Sequence, residues 1–242
     1  MVLLCRRIME RIGLKLWTGK LYAILAKFTG TVRHFELLPD GKGGLTKSPQ
    51  PVANHKVLGA CEGLVADDET ASLYVAEKDR CVYRYGAEPD DKSKGKALMG
   101  VGTNDLQADI EGLAIYARAN GAGYLLVTSQ GNSRVCVYDR RDPTRYLGSF
   151  EVSGCKQPTS VAVTSVPMLE PFDRGLVICQ DNRRSRHVGP RVVPWREIAA
   201  SLALPDEPRR ATTWRPRKAA LLTPPEKKAP DQPRPERAPR KR

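Results

Sequence analysis

Four times along the chain an apolar run meets a short polar turn and then a second run in which apolar and polar positions partly alternate. LYAILAKFTGTVRHFELL begins at Leu21, LYVAEKDRCVYRY at Leu73, YLLVTSQGNSRVCVYDR at Tyr124 and GLVICQDNRRSRHV at Gly175. Their starts lie 52, 51 and 51 residues apart. Short alternating runs bounded by Gly, Asp and Asn predict β-hairpins. A constant period near fifty residues, filled with such strands, predicts an all-β chain of the β-propeller class, each repeat one four-stranded antiparallel blade. Between Tyr22 and Val193 there is almost no 3.6-residue apolar pattern; only VPWREIAASLAL, residues 193–204, reads as helical.

A second repeat is superimposed on the first. Glu-Gly-Leu occurs at Glu62 and again at Glu111, 49 residues on, each time just ahead of a strand pair; PTSVAV, residues 158–163, is a degenerate third copy without the acid. In a propeller the same position of each blade faces the same central channel, so Glu62 and Glu111 are expected near the axis. Two carboxylates held close repel unless a cation lies between them. Hard cations such as calcium take oxygen from carboxylates, amides and carbonyls. Asp109, Gln130, Asn132, Gln180, Asp181 and Asn182 supply more oxygen, with SQGN and CQDN falling at matching places of successive repeats. Gly, Asp and Asn are also what tight turns require whatever the function. Both readings stand for these residues, and the Asp pair at Asp67 and Asp68 reads as a turn.

Charge changes the picture little. The formal net charge is +13, but residues 205–242 carry 12 Lys/Arg against 5 Asp/Glu together with nine Pro, so most of the excess sits in a tail that reads as disordered. Such a tail could bind polyanions; with Trp214 as its one aromatic residue it lacks the basic–aromatic interleaving of a nucleic-acid surface, and no nucleic-acid partner is expected. Six cysteines without a C-x-x-C pair, and three histidines, argue against a zinc site; Cys81, Cys136 and Cys179 lie in strand-like runs and read as buried thiols. No apolar run reaches membrane-spanning length. The start, MVLLCRRIMERIGLKLW, lacks the uninterrupted apolar stretch of a signal peptide. The expectation is a cytoplasmic chain, or one whose natural N-terminus lies further upstream.

TGKLYA (18–23), EGLVADDETASLYVAE (62–77), DIEGLAIY (109–116), GYLLVTSQGNS (123–133), RYLGSF (145–150), RGLVICQDN (174–182) and VPWREIA (193–199) follow one another in an order and spacing that resembles the β-propeller phytases. The resemblance implies a six-bladed propeller, secreted or periplasmic, that hydrolyses phytate, inositol hexakisphosphate, as a calcium-dependent 3-phytase by direct attack of water. By that resemblance Glu62, Glu111 and Asp109 are the expected catalytic residues. Glu62, Glu77, Glu111, Gln130, Gln180 and Asp181 are the expected calcium ligands, and Lys20 and Lys27 the expected phosphate-binding residues.

The chain departs from the family's pattern in several places. Four repeats stand where the family has six blades. The family has a second acid after Glu77, where this chain has Lys78; it has an Asp-rich stretch where this chain reads GCKQPTSVAV, with Lys156, Thr159 and Ser160; and Phe28 stands at the turn position where the family has lysine, Lys27 being one place early. The expected organisation is a divergent segment at 1–17, a partial phytase propeller at 18–204 and the basic tail at 205–242. Two alternatives to hydrolysis remain: a catalytically defective propeller fragment that retains weak calcium or phosphate binding, and a polyanion binder acting through the tail.

Overall fold

The computed structural model describes residues 10–17, 20–92, 94–182 and 189–207. Cys5, the stretch 183–188 and the tail beyond residue 207, including Trp214, lie outside the described residues. Sixteen strands are described, in four antiparallel sheets that follow the chain. The first sheet contains β1 (Glu10–Trp17), β2 (Lys20–Lys27), β3 (Thr31–Pro39) and β4 (Leu45–Lys47), with β5 (Ala53–Lys56) also paired to β3. The second is β6 (Cys61–Asp67), β7 (Ser72–Glu77), β8 (Cys81–Gly86) and β9 (Lys96–Gly100). The third is β10 (Ile110–Ala117), β11 (Gly123–Ser129), β12 (Arg134–Asp139) and β13 (Tyr146–Phe150). The last is β14 (Pro158–Thr164), β15 (Leu176–Asp181) and β16 (Arg191–Pro194), followed by α1 (Trp195–Ser201).

The all-β class and the four blade-like sheets match the fifty-residue period. The described sheets number four, not the six of a complete family ring. The first strands of successive sheets, β1, β6, β10 and β14, are packed neighbour to neighbour. The segment set apart at 1–17 supplies β1, which pairs with β2 from Glu10↔Lys27 to Trp17↔Lys20, so the first sheet reaches further toward the N-terminus than residue 18. The helix is shorter than the apolar pattern suggests, because residues 191–194 pair with β15 as β16 before the chain turns at Pro194. Among the described residues no helix is long and apolar enough to cross a membrane.

Burial explains why the second strand of each central repeat reads as a continuous apolar run. In β7 and β11 every residue is buried, because both faces of these sheets are covered. Leu73 and Val75 face Ile24, Val32 and Val57 of the first sheet, while Tyr74 and Ala76 pack with Leu125, Val127 and Ile110 of the third. Tyr124 and Leu126 then point the other way, onto Val161, Val177 and Trp195. In β15 the alternation returns: Val177 and Cys179 are buried, whereas Ile178 and its ladder partner Val192 are exposed. Trp195 closes the third core, stacked on Tyr116 at 3.9 Å between ring centres and lying 5.3 Å from Tyr124. The five described cysteines are buried free thiols, as the strand-like runs predicted for Cys81, Cys136 and Cys179; burial, with the charges of Glu77 and Glu62, pushes the Cys61 thiol up to about 12.

Candidate active site

One irregularity recurs in the first strand of three successive sheets. In β6, Cys61 pairs with Glu77 and Gly63 with Ala76, leaving Glu62 as an extra residue between them. In β10 the same slip falls between Ile110 and Leu113, at Glu111 and Gly112; in β14 it falls between Pro158 and Ser160, at Thr159. A β-bulge re-aims the inserted side chain and is common beside functional sites. The repeated glutamate is therefore the bulge residue of its blade, and Thr159 holds the third such position.

The glycine after each glutamate has its own reason. A Cβ on Gly63 would run into the carbonyl oxygen of Glu111, and one on Gly112 would lie 2.7 Å from the Val161 nitrogen and 2.9 Å from Ser160 Cα. Only a residue without a side chain lets adjacent first strands approach this closely. The motif thus combines a bulge that aims an acid with a glycine that brings the next blade against it. Sequence reasoning weighed the glutamates and passed over the glycines, although their repetition at Gly63 and Gly112 was the available signal.

These bulges share one end of the sheets with the C-terminal ends of β2, β7, β11 and β15, which brings most of the expected residues together. The Lys78 ammonium lies 3.0 Å from Asp109 Oδ2. Glu111, 6% exposed, accepts a hydrogen bond of 3.0 Å from Gln130 Nε2. The backbone ties the same groups across blades: Lys78 N donates to Ala60 O at 2.9 Å, Ile110 N to Lys78 O at 2.8 Å and Gln130 N to Asp109 O at 2.9 Å. Gly112 N donates to Thr128 Oγ1 at 2.6 Å, which holds the bulge of β10. Burial alone would lower the Lys78 pKa, but the Asp109 hydrogen bond and the charges of Asp109, Glu62 and Glu111 outweigh it and raise it. Partial burial, then the neighbouring Asp109 carboxylate, push Asp79 up.

Glu77 is 1% exposed at the end of β7, and neither of its carboxylate oxygens receives a hydrogen bond; Arg80 Nε is 3.9 Å away. The backbone at Gly59 closes over it, so that a Cβ there would stand 2.6 Å from Glu77 Oε1. Asp181, 3% exposed, occupies the matching place in β15, but both its oxygens accept backbone N–H groups, from Lys156 at 3.0 Å and Gln157 at 3.3 Å. It shapes the turn before β14.

Two expectations change in position. Lys20 lies at the opposite end of β2 from Lys27 and pairs with Glu36 at 3.0 Å, so it is not brought to this end; strand geometry separates the two ends of an eight-residue strand by roughly 20 Å. Lys27 does stand at the site end, opposite Glu10 in the ladder. Gln130 and Gln180 are not equivalent: Asp181 faces Pro158 as Ser129 faces Ile110, which leaves Gln180 two residues earlier in its blade. The cause is the 3-10 turn at Gln130–Asn132, which starts directly after β11, whereas β15 continues through its glutamine. Gln180 Nε2 turns back to donate to Asp181 O at 3.0 Å.

Calcium requires six to eight oxygens converging on one point. The buried, hydrogen-bond-free carboxylate of Glu77 is suited to a cation. Around Asp109 the fit fails: an ammonium already stands against the carboxylate, and among the described residues no group of three or more His, Cys, Asp or Glu side chains is arranged to hold a metal ion. The residues present therefore do not assemble a complete calcium site.

The chain is 34% identical over 201 residues to the 3-phytase of Bacillus subtilis (strain 168), an alignment covering 78% of this chain and 52% of that protein. It thus spans about half the length of the curated relative it matches. The family model named Phytase matches residues 9–220, taking in all sixteen strands and the helix. With the order of motifs, the blade-like sheets and the match over most of its length in agreement, the chain belongs to the phytase family.

Proposed function

We propose that the bulge end of the sheets is a phosphomonoesterase site acting on phytate or a related inositol phosphate. The observation that carries this reading is the placing of Glu62 and Glu111 on matching bulges of adjacent first strands, with Asp109 and the Lys78 ammonium beside them. An attacking water must lose a proton, and a carboxylate within reach can accept it; Glu111, held by Gln130, is suited to that part, with Glu62 across from it. The ammonium of Lys78 and that of Lys27 would draw phosphate oxygens toward the carboxylates. Phosphoryl transfer depends on such positioned charge more than on covalent chemistry. Calcium, implied by the resemblance, would supplement these cations at Glu77; no step above depends on it.

A second reading has its own support. Asp109 is neutralised by Lys78, Asp181 is occupied by backbone donors, and the third bulge carries Thr159 instead of an acid. On that reading the chain is a defective propeller fragment that binds phosphate or calcium weakly. Phosphate release from phytate by the purified chain, with added calcium or with EGTA, separates the two. Hydrolysis is expected to fall at least 10²-fold in Glu111→Gln, the order expected when one positioned catalytic group is removed. A folded wild-type chain that releases no phosphate in either buffer overturns the enzymatic reading and leaves the second.

A further inference from the structure

Lys78 is ion-paired to Asp109 of the candidate site, as Arg80 is to Glu77, and it is rigidly placed. Its N–H is bonded back to Ala60 and its carbonyl forward to the Ile110 N–H, so its backbone bridges the second and third sheets. From that bridge the side chain reaches Asp109 Oδ2 at 3.0 Å while remaining 27% exposed. Glu62 and Glu111, the two bulge residues, are close enough to raise the Lys78 pKa along with Asp109. One tethered positive charge thus meets Asp109 directly, with the bulge carboxylates Glu62 and Glu111 of the same two blades near it. Without it they would repel, and a dication would be the ordinary remedy. Lysine is a compact ammonium with three donors, able to meet one carboxylate while offering its remaining N–H groups to others or to a phosphate oxygen.

We propose that the Lys78 ammonium is a built-in cation that takes the place of a metal ion among Glu62, Asp109 and Glu111. It holds these carboxylates together across the boundary between the second and third blades and leaves that part of the site independent of calcium. The placing of the cation stands on the Lys78–Asp109 contact and on the matching bulges that carry Glu62 and Glu111; that it also meets a substrate phosphate rests on the phosphomonoesterase reading. Lys78 acts as a positioning residue toward Asp109. A calcium requirement then belongs to the buried carboxylate of Glu77.

The test uses the full chain and reads metal binding and thermal stability, so that it does not depend on turnover. Wild type, Lys78→Arg, Lys78→Met and Lys78→Glu are compared by thermal unfolding in EGTA and in calcium, and by titration with terbium, an oxygen-seeking probe whose luminescence is sensitised by nearby aromatic rings. Wild type and Lys78→Arg are expected to respond alike to calcium, with no part of the response arising from Glu62, Asp109 and Glu111. Lys78→Glu is expected to be less stable in EGTA, to regain the loss in calcium, and to bind terbium about tenfold or more tightly, since affinity of oxygen sites follows the count of ligand charges. Equal calcium dependence and equal terbium affinity in wild type and Lys78→Glu would overturn the proposal. Should Lys78→Glu fail to fold, Lys78→Met decides: tighter terbium binding than wild type supports the built-in cation, and unchanged affinity refutes it. A wild-type chain that hydrolyses nothing, yet shows this pattern, refutes the enzymatic reading and leaves the inference intact.

Discussion

Replacing Arg140 by Met tests how the blades are held together. Arg140 follows β12 and is 4% exposed; Asp67 ends β6 and is 3% exposed, both at the end of the sheets away from the bulges. The guanidinium grips the carboxylate with two bonds, Nε to Oδ2 at 2.7 Å and Nη2 to Oδ1 at 2.6 Å. It also donates from Nη1 to Ala122 O at 3.1 Å and pairs with Glu69 Oε2 at 3.0 Å. Methionine fills much of the same volume but leaves Asp67 buried, with only the Glu69 and Thr70 N–H groups, at 3.1 and 3.3 Å, to support its charge. Breaking a buried pair from one side costs about 3–5 kcal/mol, because the surviving charge cannot return to water. In a folded unit of this length each kcal/mol lowers Tm by about 2–4 °C, so a fall of roughly 6–20 °C is expected. Urea unfolding followed by circular dichroism measures the free energy directly. The pair Arg140→Met with Asp67→Leu should recover most of the loss, since an apolar replacement of both partners removes the stranded charge. A loss below about 1 kcal/mol in the single variant would refute the view that this ion pair is sealed from solvent between the second and third sheets.

Two further outcomes follow from the same structure. Gly112→Ala forces a Cβ to within 2.7 Å of the Val161 nitrogen, so β10 and β14 must separate; overpacking of this kind costs about 1–3 kcal/mol, and by shifting the bulge it should also weaken whatever Glu111 does, whereas Gly102→Ala, at a positive φ in open space, should leave the bulge undisturbed. Stability should fall in acid: burial alone would raise the Asp67 carboxyl, but hydrogen bonding and charge from Arg140 carry it below the usual range, so its contribution is present above the unfolded value of about 3.9 and is lost as the pH drops through the lower folded value. Asp67→Asn, followed by unfolding between pH 6 and 2, should show a flatter acid limb, and an unchanged slope would refute the assignment.

The period of strands, the all-β class, the helix near Trp195 and the buried thiols were legible in the sequence, because each depends on local patterning: alternation, turn residues and apolar runs are written within a few residues of one another. So was the acid on successive blades, since Glu62 and Glu111 repeat with the blade. What the sequence could not decide was register and neighbourhood. Gln130 and Gln180 look equivalent at fifty residues' spacing, yet one turn placed directly after β11 and not within β15 sets them two ladder positions apart. Lys20 and Lys27 sit together in the sequence, but an extended strand carries them to opposite ends. The glycines of the repeated motif gain their meaning only when the next blade's backbone arrives against them. Lys78 likewise is only a departure from a family pattern until the second and third sheets pack and set its ammonium among carboxylates drawn from residues 62 to 111. Periodicity is a property of the chain, whereas which charge faces which depends on bulges and blade contacts between residues far apart along it.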